Sequence, residues 1–204
     1  MTKTKAREVD VLKAQIGIST DQVIANILAT WMDATDANRE DGAQWYLLNQ
    51  QALEEMANGN GVSLEAAAAV TAHLSPRVHW ARALVAAHNM LNGLPVTGVM
   101  GRSISGAQSA LDAYRNGEDP LWTLKGPKIR NFALNLAGDT EAVTIDVWAA
   151  RVAFGGPYED KLLQRAGVYQ AIAQAYRAAA AKVGVSPSTM QATTWIVARN
   201  GRAN

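Results

Sequence analysis

Apolar residues recur at three- and four-residue intervals in one segment after another, and this period limits the folds open to the chain more than any other feature. In TDQVIANILATWMDA, Val23, Ile27 and Trp31 form a stripe with Ile24 and Leu28, behind a cap at Thr20 or Asp21. NREDGAQWYLLNQQALEEMANGNG turns Trp45, Leu48 and Met56 inward and stops at its glycines. SLEAAAAVTAHL starts from a Ser63 cap and ends at Ser75-Pro76, and Pro76 suits the first turn of PRVHWARALVAAHNMLNG. AGVYQAIAQAYRAAAAKVG is rich in alanine, the strongest helix former, and Ser186-Pro187-Ser188 opens the last segment, PSTMQATTWIVARN. VTIDVW has the composition of a strand, but AARV continues it better as helix. The expected fold is all-α, a two-lobed helical unit of about nine or ten helices.

Glycine-rich LPVTGVMGRSISG reads as a flexible crossing between lobes, with lobe elements at about 20–93 and 103–200, residues 1–19 flexible and 1–204 forming a single unit. Composition removes several function classes. The chain has no cysteine, so disulfides, thiolate zinc sites and cysteine-held iron–sulfur clusters are excluded, and a reducing cytoplasm is expected. Net charge is only +1, so affinity for nucleic acid would have to come from a local patch. No apolar run reaches the length of a membrane span or a signal peptide, so no membrane association is expected. The three histidines, His73, His79 and His88, lack the spacing that puts two ligands on one helix face, and no metal is expected. GVMGRSISG fits neither a phosphate-binding loop that needs Gly-Lys-Ser/Thr nor a G-x-S-x-G nucleophile turn.

LWTLKGPKIRNFAL contains a positive cluster at a turn. A short apolar helix ends at Leu124, Lys125-Gly126-Pro127 makes a tight turn, and Lys128 opens a helix whose free N–H groups attract an anion. Lys125, Lys128 and Arg130 add charge where the helix dipole already favours a phosphate. The same residues also fit a plain connection between packed helices, with solvated lysines. Asp146, in TEAVTIDVWAARV, lies eighteen positions beyond Lys128, enough for one helix and a returning loop. It is either a helix cap or a carboxylate sharing a rim with that lysine, where an amine nucleophile and a charge stabiliser would work together.

The stretch resembles the helix–hairpin–helix DNA glycosylase superfamily, in particular its 8-oxoguanine glycosylase/lyase branch. LKGPK stands where that family has L-P-G-V-G-x-K, and TIDVWAARV where it has V-D-x-H. The resemblance covers about 63–199. It implies a lyase-type nucleophile at Lys128, a catalytic aspartate at Asp146, and a phosphate grip by Lys125, Gly126, Lys128 and Arg130. AAAAVTAHLSPRVHWARALVAAHNML is similar to the family's earlier helix pair, which implies that Ser75, Arg77, His79, Trp80 and Trp148 border a base pocket. The hairpin is about two residues shorter than the family pattern, and Trp148 stands where the family has histidine.

The implied function is excision of a damaged or modified base from double-stranded DNA by a cytoplasmic monomer without a cofactor. Relatives recruited by bacteriophages to build hypermodified thymines offer a transferase alternative, and a catalytically silent DNA-binding module is a third. Of the six tryptophans, Trp31, Trp45 and Trp195 read as core, and Trp80 as the best candidate to stack on a base.

Overall fold

Side chains that catch free amide groups set most of the helix starts. In the computed structural model, which describes residues 10–199, ten α-helices follow one another with no strand among the described residues. They are α1 (Val11–Ile16), α2 (Thr20–Met32), α3 (Asp36–Asn60), α4 (Leu64–Leu74), α5 (Trp80–Leu91), α6 (Gly101–Arg115), α7 (Pro127–Leu136), α8 (Val147–Phe154), α9 (Val168–Val183) and α10 (Pro187–Ala198). Asp10, Ser19, Thr35, Ser63, Asp146 and Ser186 each accept a hydrogen bond from an amide in the first turn that follows. Such a cap is typically worth about 1 kcal/mol. None of the described helices is long and apolar enough to cross a membrane.

The alanine run of α4 does what its composition allows. Ala66, Ala67, Ala68, Ala69 and Val70 are all fully buried, so the helix is surrounded, with α3, α5, α6 and α7 packed around it. One large buried cluster joins α4, α5, α6 and α7, and another joins α1, α2, α8, α9 and Met190 of α10. A smaller cluster, Leu53, Ala57, Ala67, Ala68 and Leu136, connects α3, α4 and α7. These groups do not divide at the expected lobe elements of 20–93 and 103–200, because α2 packs on α8 and α9, and α4 on α6 and α7.

Several local expectations need correction. The crossing loop is shorter than expected, since Gly101 already opens α6. Gly106 lies inside that helix, where the His73 ring of α4 occupies the space a Cβ would need. The helix expected from Pro76 starts only at Trp80. Of the expected flexible N-terminus, residues 1–9 lie outside the described residues. Residues 11–16 are helical, and Asp10 ties them to α2 by accepting from Thr20 N at 2.9 Å.

The segment between α7 and α8 is extended without a strand partner, and side chains hold it. Asn135 donates to the carbonyls of Asp139 and Ala142, both at 2.8 Å, and accepts from Thr144 Oγ1 at 2.9 Å. Tyr169 of α9 donates to Val143 O at 3.1 Å and accepts from Ile145 N at 3.0 Å. This network delivers Asp146 to a fixed place.

Candidate active site

Asp146 is both a cap and a wall of a cavity. Its Oδ1 accepts from Trp148 N at 2.9 Å and Ala149 N at 2.8 Å, while Oδ2 accepts from the indole Nε1 of Trp195 at 3.0 Å. It opens on a cleft of about 400 Å³, within the usual range for ligand sites. Lys128 lines the same cleft from the first turn of α7, whose start carries Pro127 and no side-chain cap.

Seven of the ten residues singled out from the sequence line this cleft: Ser75, Arg77, His79, Trp80, Lys128, Asp146 and Trp148. Lys125, Gly126 and Arg130 do not, although they adjoin Lys128. Lys125 Nζ lies 3.5 Å from the Trp122 carbonyl, and the Arg130 guanidinium stacks over the Trp122 ring at 5.2 Å. Arg77 is the one non-glycine among the described residues with a left-handed backbone, φ +62°. That conformation costs about 1–2 kcal/mol and keeps the 76–79 turn tight at the cleft.

Trp45 packs against the third buried cluster, as expected of a core residue, but it also lines the cleft, and Trp195, expected in the core, lines it too. Trp31, by contrast, is buried. Trp45 stands 5.6 Å from Trp80, 6.0 Å from Trp195 and 6.2 Å from Phe132, between ring centroids, and Trp80 stands 5.7 Å from Phe132. Trp80 is fixed by donating Nε1–H to Asn49 Oδ1. Arginines cover two rings, Arg151 over Trp148 at 4.7 Å and Arg199 over Trp195 at 4.3 Å. The cavity therefore has π faces, several cations and, among its lining residues, a single carboxylate.

Sequence reasoning also missed Tyr46 and Gln191. The Tyr46 hydroxyl donates to Gln191 Oε1 at 2.9 Å across 145 residues of chain. Burial pushes that hydroxyl far above its ordinary pKa, and the Asp146 charge adds to the effect, so Tyr46 stays a neutral donor. The amide of Gln191 is thereby oriented; the residue is 4% exposed, and its Nε2 makes no hydrogen bond within the described residues. Gln191 lines the cleft, where a ligand carbonyl oxygen would give its N–H groups an acceptor. The signal in the sequence was a glutamine inside the otherwise apolar and threonine-rich turns of TMQATTWIV.

The model of a family of unknown function, DUF7178, matches residues 10–202. No curated protein and no solved structure matches the chain.

Proposed function

We propose that this chain, which belongs to the DUF7178 family, is a DNA-binding enzyme of the helix–hairpin–helix glycosylase type, acting on a base turned out of a duplex. One observation carries this reading: Lys128, from the helix after the Gly-Pro turn, and Asp146, from the start of the next helix, border a single aromatic cleft. The two large buried clusters would form its lobes, and 124–128 its hairpin.

Turning a base out of the stack costs a few kcal/mol. An aromatic contact returns about 1–3 kcal/mol per base, so the Trp45, Trp80 and Trp195 walls are of the right order to offset it. Gln191 Nε2 would take a carbonyl oxygen of the base. Lys125 and Arg130, with the backbone N–H groups of Gly126 and Lys128, would hold the phosphate beside it, which positions DNA without reading its sequence. As the glycosidic bond breaks, the base leaves with the bonding electrons and takes up a proton. Asp146 stabilises the positive charge on the sugar, and Lys128, having passed a proton to the departing base, attacks C1′. The C1′–O4′ bond then breaks, O4′ takes a proton from the lysine nitrogen, and an iminium is left between Lys128 and C1′.

Borohydride trapping tests this chemistry. Duplexes carrying 8-oxoguanine, uracil, hydroxymethyluracil or an abasic site are expected to yield a covalent adduct with the protein, and Lys128→Ala to yield none. An adduct that persists in Lys128→Ala would assign the nucleophile elsewhere. With neither an adduct nor a released base, the glycosylase reading falls, and mass spectrometry for modified thymines becomes the test of the transferase alternative.

A further inference from the structure

Trp122 is the tryptophan that neither the core nor the cleft uses. It is 68% exposed, belongs to none of the buried clusters and does not line the cavity. It sits in the 3-10 turn Pro120–Thr123, just ahead of the proposed hairpin. Leu121 and Leu124 on either side of it are buried, so the turn is anchored while the indole projects.

The surroundings of the ring are cationic. Arg130 covers it at 5.2 Å, Lys125 Nζ reaches the Trp122 carbonyl, and the sequence has no carboxylate between Asp119 and Asp139. Arg130 and Lys128 are two positions apart on α7, roughly 200° around the helix. One therefore serves the Trp122 face while the other serves the cleft.

We infer that Trp122, with Lys125 and Arg130, is a second nucleic-acid contact, one that stacks on an unpaired base of the strand whose phosphate the hairpin holds. The inference rests on the DNA-binding reading above. A flat indole backed by a guanidinium matches a partner that brings both a π face and a negative backbone, and a nucleic-acid strand brings both at every residue. Inside an intact duplex the faces of the bases are covered by their neighbours, so an unpaired base is the one that fits. The expected substrate is DNA with a gap, overhang or bubble beside the target base.

The test is fluorescence anisotropy with labelled intact duplex, gapped duplex and single strand, using wild type, Trp122→Ala, Trp122→Phe and Lys125→Ala. Trp122 is exposed, so its variants should keep the wild-type circular dichroism. Wild type is expected to prefer gapped to intact duplex. Trp122→Ala should lose on the order of tenfold on gapped duplex and single strand while changing little on intact duplex, and Trp122→Phe should restore most of the loss. Lys125→Ala should weaken all three and lower the salt slope by about one. Equal loss on gapped and intact duplex, or no loss on either, would overturn the stacking contact and leave the DNA reading standing. Absence of binding to any of the three DNAs by wild type would overturn both. Self-association by light scattering that disappears in Trp122→Ala would assign the patch to a second copy of the chain instead.

Discussion

Asp146→Asn should damage stability and chemistry by separable routes. Asparagine caps helices about as well as aspartate, so its oxygen would keep the bonds to Trp148 N and Ala149 N. The other end of the side chain then becomes an NH₂ group facing the indole N–H of Trp195, which now donates to the carboxylate at 3.0 Å. Two donors meet and at least one loses its acceptor, at a cost of about 1–3 kcal/mol. For a chain of this size, each kcal/mol lowers the melting temperature by about 2–4 °C. Trp195→Phe removes the competing donor, so Asp146→Asn should cost less in that background, a coupling of about 1 kcal/mol or more in a double-mutant cycle. Base release, by contrast, should fall a hundredfold or more in Asp146→Asn and should not return with Trp195→Phe, because the lost charge is not replaced. A variant that melts like wild type and still releases base would reduce Asp146 to a helix cap.

The second large effect lies where α3 crosses α10. A Cβ on Gly42 would stand 2.7 Å from both the Cα and the backbone nitrogen of Thr193, closer than real side chains come to backbone. Gly42→Ala must therefore push the helices apart, and overpacking of this kind costs about 1–3 kcal/mol. That outweighs the gain of up to about 1 kcal/mol that alanine brings to a helix interior. Gly59 belongs to the same helix with nothing within 4 Å of its would-be Cβ, so Gly59→Ala should stabilise by a few tenths to about 1 kcal/mol. Opposite signs for one substitution in one helix, read by thermal unfolding, are the expected result. Thr193→Ala should rescue Gly42→Ala only in part, since it removes the Thr193 hydroxyl from the space but leaves the backbone in it. Separation of α3 from α10 should also open the cleft, because they carry Trp45 with Tyr46 and Trp195 with Gln191. Gly42→Ala that melts at or above wild type would mean the crossing is looser than described.

Local chemistry made most of the helix starts legible, and distance hid most of the site. Ser63 and Ser186 cap the helices the sequence assigns to them, because a hydroxyl reaching an amide three residues on is a local event. The α6 start was illegible, since its first residue is a glycine and no side chain caps it. Glycine serves a turn and a close helix contact equally well, and the His73 ring that explains Gly106 lies on another helix. Arg77 gave no warning of a turn, because an arginine seldom adopts a left-handed backbone.

Lys128 and Asp146 were legible as a pair because one helix and one loop separate them. Their cleft partners were not. An apolar stripe turns Trp45 and Trp195 inward, yet whether inward means core or cavity wall depends on elements far along the chain. Trp195 meets its carboxylate 49 residues away, and Tyr46 meets Gln191 across 145.

If the cleft takes up a nucleotide turned out of a duplex, binding can show it without knowledge of the target base. The dissociation constant would be measured for an intact duplex and for the same duplex carrying one abasic analogue, at one salt concentration. A site that must extrude a nucleotide spends a few kcal/mol on the intact duplex and little on the abasic one. Binding to the abasic duplex is expected to be at least tenfold tighter. Equal affinity for the two would mean that the protein grips the backbone without drawing a nucleotide into the cleft, and the base-extrusion reading would fall.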